Sequence, residues 1–475
     1  MPHKHHPFSK KRLGIFSLAM INVAAIESLK NLPIMSKVGL AAIFFYAVAG
    51  LLFFIPTALV SAELATGWPT KGGVYLWLKQ AFGQRWGFIG IWLEWIQNVI
   101  WYPTVLSFAA ATLAYLINPT LANNPLYMIS VILIVYWAAT CINLFGMKAS
   151  GIISTVGAMI GTVIPGLLII VLGLVYYFSG KPLQIHFSWH AAIPNMSSIK
   201  NIVFLVGVLL AMAGMEMSAV HAKEVKNPQV SYPRAILLSV VIILVLSILG
   251  SLAIAIVVPA KNISLVAGIM QAFSDFFAVY HLHWLTPILA VLIVIGAITG
   301  TCTWIAGPSR GLLATAEDGD LPAFFQHHNK FNMPVAIFIM QGAIVTLLSL
   351  SFVLMPSVSS SFWLLTCLTA QLYLIMYALM FAAAIWLRHS QPDVKRTYRV
   401  PGGKYLGMWI VAGVGCIASI VAICIGFVPP SQIQSGNIWF YEGFLIIGLV
   451  IMIGVPLTIY ALRRPSWKAI DIDKE

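Results

Sequence analysis

Four ionisable side chains stand inside long apolar runs of this chain: Glu27 and Lys30 in the first run, Glu94 within WLEWIQN, and Glu216 within LLAMAGMEM. A charge at bilayer depth costs roughly 2.5–3.5 kcal/mol even on the mildest scale, so such residues mark binding sites, proton relays or buried pairs. Glu216 follows Ala213, Gly214 and Met215, and Gly costs a helix about 1 kcal/mol relative to Ala. Together they suggest a helix that opens in mid-span to make a site; the alternative is a kinked helix whose Glu216 reaches a water pocket. Once there, Glu216 could exchange a proton, or join the two halves of its helix by accepting hydrogen bonds from amides freed in the first run.

Glu27 and Lys30 are three apart, so on an intact helix they could pair on one face. If the chain is unwound there, either one meets a ligand or a proton instead. Glu94 is expected to face the interior and hydrogen-bond there, with coupling or gating as its functional alternative. Trp101, Tyr102 and Trp304 read as packing or lipid-belt aromatics, or as the lining of a site. No HExxH, P-loop, GxGxxG or nucleophile–base set occurs, and the five cysteines lie in apolar runs without a CxxC pair. His186, His190, His281 and His283 read as solvated loop residues. Catalysis, a metal site and a cofactor are therefore not indicated.

The elements that hold these residues must be membrane helices. Hydrophobic residues make up 60% of the 475 and charged ones 9%, against about 45–50% and 25% in soluble proteins. Runs long enough to cross about 30 Å of hydrocarbon recur along the chain. We expect an all-α polytopic membrane protein with twelve spans: 13–35, 39–62, 86–117, 125–146, 149–179, 199–222, 232–259, 282–307, 333–355, 360–388, 405–428 and 437–462. The first run follows a basic segment with no small-residue cleavage site, and is expected to be a retained helix rather than a signal peptide.

With the N-terminus inside, 22 of the 27 Lys and Arg fall on the inner side, which places both termini in the cytoplasm. The net charge of +13 is thereby accounted for by loop placement, not by a nucleic-acid partner. The inner stretch 63–85 is too short and polar to span; Pro69, Gly72 and Gly73 interrupt it before a short amphipathic helix at about 74–82.

The polar interruption Ile26-Glu27-Ser28 lies about 14 residues into span one, and Gly214–Glu216 about 16 residues into span six. Four spans separate the two. Broken helices at matching places in two halves are the best sequence pointer to an inverted-repeat transporter with its site at the membrane midplane. An odd number of spans per repeat also turns the second copy upside down.

Four further stretches carry a family resemblance: FIPTALVSAELATGWPTKGGVYLWL (54–78), RWGFIGIWLEW (85–95), GMEMSAVHAKEVKNPQVSYPRAI (214–236) and SRGLLATAEDGDLP (309–322). In this order and spacing they resemble the amino acid–polyamine–organocation (APC) superfamily, and within it the bacterial glutamate/GABA antiporter group. The similarity covers about residues 11–463. It implies the LeuT-type 5+5 inverted repeat: a cytoplasmic tail at 1–12, a first repeat at 13–179, a second at 199–388, helices eleven and twelve at 405–462, and a cytoplasmic tail at 463–475.

By the same resemblance, the substrate carboxylate is held by free amides of broken span one, here at Ala25, Ile26, Glu27 and Ser28. The substrate amine is held by carbonyls of broken span six, here at Ala211, Met212, Ala213 and Gly214, with Trp304 where related arginine/agmatine exchangers carry a gating tryptophan. A helix N-terminus offers N–H groups and positive dipole, and a C-terminus offers carbonyls. Glu216 matches the family's glutamate, and it, Lys30 and Glu94 are assigned coupling or gating. The chain departs from the family at Glu27, which stands where Gly-Ser-Gly is common, so an acidic side chain occupies the carboxylate subsite. Unpaired and ionised, Glu27 favours an amine; neutralised by Lys30 or a proton, it leaves an amino acid acceptable. Leu210 stands where arginine exchangers carry a tryptophan, which argues against arginine. The chain ends about a dozen residues after span twelve, so the long autoinhibitory C-terminal plug of the acid-system antiporters is expected to be absent.

The expectation is a secondary transporter of amino acids or related amines in the cytoplasmic membrane, working by alternating access with exchange or protons as the driving partner. A polyamine transporter with Glu27 on the amine, and a transporter-like sensor without net transport, are the alternatives.

Overall fold

The computed structural model describes residues 14–68, 73–146, 157, 159–216, 228–434 and 436–468. Pro69, Gly72, residues 217–227 of the 214–236 motif and both chain ends lie outside the described residues. Within them the elements are helical, in the order α1 Ile15–Ile26, α2 Leu32–Ser36, α3 Gly39–Gly67, α4 Gly73–Phe82, α5 Gln84–Ala114, α6 Pro125–Leu144, α7 Met159–Phe178 and α8 Phe204–Ala211. There follow α9 Pro228–Val257, α10 Gly268–Tyr280, α11 Leu285–Glu317, α12 Val335–Ser349, α13 Val358–Ser390, α14 Leu406–Ile425 and α15 Ile438–Ala461.

Among the described residues nine helices are long and apolar enough to cross a membrane. The other three expected spans differ in kind: span one is interrupted at Glu27-Ser28, the described part of span six stops its helix at Ala211, and α5 is diluted by Glu94, Gln97 and Asn98. Helix starts follow local chemistry. The Asn124 side chain accepts from the Leu126 and Tyr127 N–H groups, with Pro125 opening α6. Ser357 caps α13 and Asn437 caps α15 in the same way, satisfying amides that the first turn leaves free. The expected short helix near 74–82 is α4.

Helix α10 was not expected, although Ile269, Met270, Phe273, Phe276 and Phe277 repeat at helical spacing and are all buried. The run is too short and too mixed to register as a span, and only its period marks it.

Packing sets α5 and α13 at the centre, where nearly every residue of α5 from Gly87 to Thr112 is enclosed. At the periphery α14 and α15 expose Trp409, Ile417, Ile447 and Val450, as a lipid-facing surface requires. Small residues let helices approach closely. A Cβ on Gly161 would fall 2.4 Å from the Cα of Gly296, so α7 and α11 touch backbone to backbone at that point.

One polar cluster is buried at the end of α3. The Glu63 carboxylate takes both oxygens to Arg388 of α13, receives Arg396 at 3.3 Å, and accepts the Val400 N–H at 2.7 Å. Sequence reading counted these arginines only as loop charges.

Candidate functional site

Helix α1 stops at Glu27. That residue and Ser28 have extended backbones (φ −68°, ψ 126° and φ −146°, ψ 126°), and the chain then re-enters a 3-10 turn at Leu29–Asn31 before α2, which Pro33 helps to start. Ile26 is therefore the last helical residue rather than the first of the break. The Ser28 N–H finds no acceptor among the described residues. The second break turns rather than extends. Ala211 closes α8, Met212 turns, and Gly214 takes φ +120°, a conformation that side chains disfavour. Glu216 lies just beyond on a short turn.

Between the two breaks lies one cavity. Ile26, Glu27, Ser28 and Lys30 line it from the first break, and Ala211 and Ala213 from the second. Trp304 of α11 and Trp101 of α5 close another side, with ring centroids 6.2 Å apart at 61°. Tyr102 fixes that wall by donating its hydroxyl to the Trp304 carbonyl at 2.8 Å. Polar groups that sequence reading did not single out also reach the cavity: Asn31, Gln97, Asn98, Thr301 and Tyr373. Gln97 and Asn98 sit one turn before Trp101 on α5, a helical offset that could have flagged them. Nothing local flags Tyr373, which is 157 residues from its partner Glu216.

The remaining expected site residues lie elsewhere. Met212, Gly214, Glu216 and Glu94 are buried but do not line the cavity; Ala25 is in the last turn of α1. Glu216 is not bonded to amides of the first break, as one expectation had it. Its carboxylate accepts the hydroxyls of Tyr373 and Tyr377, both on α13. Tyr377 in turn accepts the Gly214 N–H at 2.6 Å, so one tyrosine joins the break, the glutamate and the central helix. Because Tyr373 lines the cavity, Glu216 stands one side chain behind its wall.

The expected Glu27–Lys30 pair does not form. Glu27 accepts the Ser247 hydroxyl of α9 at 3.1 Å. Lys30 donates to Asn31 Oδ1 at 3.1 Å and lies 5.5 Å from the Trp101 ring and 5.8 Å from the Phe362 ring. Pairing at i,i+3 needs an intact helix, and the extended Glu27-Ser28 backbone destroys that register. Serines of α9 tether the first break: Ser239 receives Asn22 at 3.0 Å, Ser247 binds Glu27, and Ser251 donates to the Leu32 carbonyl at 3.2 Å. Glu94 was expected to hydrogen-bond in the interior. Its carboxylate has no hydrogen-bond or ion-pair partner among the described residues, while its carbonyl accepts the Gln97 and Asn98 side chains. It lies within Coulombic reach of Glu216.

The arrangement offers a bound molecule both charges, free backbone groups and an aromatic wall. Among the described residues no group of His, Cys, Asp and Glu could hold a metal ion.

Residues 13–452 match a family model described as amino acid permease. The chain is 49% identical over 450 residues to an uncharacterized transporter of Legionella pneumophila, covering 94% of this chain and 96% of that one. It is 34% identical to a glutamate/gamma-aminobutyrate antiporter of Lactococcus lactis, covering 96% and 91%. A probable agmatine/putrescine antiporter of Lactococcus lactis is 23% identical, with 83% of each chain covered.

Proposed function

Because this multi-pass membrane protein belongs to the amino acid permease family, within the APC superfamily, we propose that it moves an amino acid by alternating access around the cavity between its two helix breaks. The observation that carries the reading is that cavity itself: two helices that end 185 residues apart in sequence, at Ile26 and Ala211, stop against one space, and residues of both breaks line it. Unwound backbone at membrane depth is tolerated only where it lines such a cavity or is buried in protein.

In this reading the segments 13–179 and 199–388 are the inverted five-helix repeats, twelve spans cross the membrane, and both termini face the cytoplasm. The Ser28 N–H and its neighbours at the first break receive the substrate carboxylate with Lys30. Carbonyls at Ala211 and Ala213, which line the cavity from the second break, receive the amine together with Glu27, and Trp304 covers the bound molecule. Glu216, behind Tyr373, carries the coupling to the driving partner, which is a second substrate molecule or a proton.

Purified protein in liposomes should take up labelled glutamate or γ-aminobutyrate against an internal amino acid or a pH gradient. Running the same panel with putrescine and agmatine at acidic and neutral pH separates exchange from proton symport. No uptake of any of a broad set of amino acids and amines would sink the proposal, and saturable binding without counterflow would make the protein a sensor.

A further inference from the structure

We infer that the Lys30 side chain is the carboxylate-recognition group of this cavity and that, opposite Glu27, it restricts the ligand to a zwitterion and excludes polyamines. This deepens the transport reading and rests on it. Lys30 is 2% exposed, yet among the described residues its ammonium has only a neutral amide oxygen and two ring faces for company. No carboxylate lies within ion-pair distance of it among the described residues. A buried cation satisfied by neutral groups alone is incompletely compensated, and what it lacks is an anion.

Glu27 has the mirror-image shortage. Its one hydrogen-bond partner is the Ser247 hydroxyl, and no cation pairs with it among the described residues. Both side chains line the same cavity and are kept apart by the extended Glu27-Ser28 backbone. A ligand carrying an ammonium and a carboxylate completes both groups at once. A diamine completes Glu27 but brings its second ammonium into a space that already holds the Lys30 ammonium, with the Trp101 and Phe362 faces already occupied by that lysine. Like charge in a desolvated site is a common device for rejecting the wrong ligand. The relatives differ on this point, one bearing the name of a zwitterion exchanger and another that of an amine exchanger; the charge layout sides with the first.

Trp101 and Trp304 at the cavity make intrinsic fluorescence a binding readout that does not need transport. The purified full-length protein is titrated with γ-aminobutyrate, L-glutamate, γ-aminobutyrate methyl ester and putrescine, and exchange is measured in parallel in proteoliposomes. At least one zwitterion should bind the native protein at least tenfold more tightly than the methyl ester or putrescine, a difference of about 1.4 kcal/mol. Lys30→Met should lose that margin and Lys30→Arg should keep affinity within about threefold, as the charge is retained. The ester comparison needs no variant, so a Lys30→Met protein that fails to fold leaves the inference testable. Equal binding of ester and parent, putrescine as tight as either zwitterion, or unchanged affinity in a folded Lys30→Met protein would each overturn it. Binding with the expected preferences but no exchange would remove transport and leave the role of Lys30. Exchange with an unaltered Lys30→Met KM would do the reverse, and the absence of both binding and exchange removes both.

Discussion

Replacing Tyr377 by Phe removes one oxygen that serves two partners, and replacing Tyr373 by Phe removes one that serves a single partner. Each hydroxyl donates to the Glu216 carboxylate, and hydrogen bonds to charged groups contribute about 1.5–3 kcal/mol each. The Tyr377 oxygen also accepts the N–H of Gly214 at 2.6 Å, and Gly214 is buried. A buried donor left without an acceptor costs a further 1–3 kcal/mol or so. Tyr377→Phe should therefore cost about 1–3 kcal/mol more than Tyr373→Phe, roughly a fivefold to 150-fold difference in the unfolding equilibrium. The assay is denaturant unfolding of the two single variants and the double variant in detergent, followed by tryptophan fluorescence. A second readout separates the two residues by place: Tyr373 lines the cavity and Tyr377 does not, so Tyr373→Phe should alter substrate KM more. If Tyr373→Phe destabilises as much as Tyr377→Phe, the Gly214 bond does not hold the break, and the account of α8's end fails.

Glu63→Gln removes the one anion that, among the described residues, faces buried Arg388 and Arg396; breaking a buried pair costs about 3–5 kcal/mol, and thermal unfolding in detergent should fall by several degrees, with unchanged unfolding counting against the cluster. Gly296→Val would drive side-chain atoms into the Gly161 backbone, and forced overpacking costs about 1–3 kcal/mol; exchange activity and thermal stability should both drop, whereas the open Gly300, with nothing near its Cβ position, should accept Ala. Burial holds the Asp320 carboxyl above its usual range, against the opposing hydrogen bond from Gln84 at 2.6 Å. The folded state then holds the proton longer than the unfolded one, so the contribution of Asp320 is fully present below the ordinary aspartate range and is lost as pH rises through the folded pKa. Asp320→Asn should flatten this part of the stability profile between acidic and neutral pH, and identical profiles would refute it.

Much of this protein was legible one segment at a time. Spans are readable because an apolar run must be long enough to cross hydrocarbon, a property of consecutive residues. The breaks at Glu27-Ser28 and Gly214 are readable for a similar reason: a charge or a glycine in such a run has a local cost that the sequence displays. So are the family and the two breaks that meet at one cavity.

What tertiary structure alone decided is which distant group meets which. Ser247 lies 220 residues from Glu27, Tyr373 lies 157 from Glu216, and Arg388 lies 325 from Glu63. The sequence permitted a Glu27–Lys30 pair, and the unwound backbone separated them. Helical periodicity tells which residues share a face of their own helix, but not which neighbour that face will touch. That choice belongs to the packing of the whole bundle, and here it leaves Glu27 and Lys30 lining the same cavity unpaired and puts Glu216 one tyrosine behind its wall.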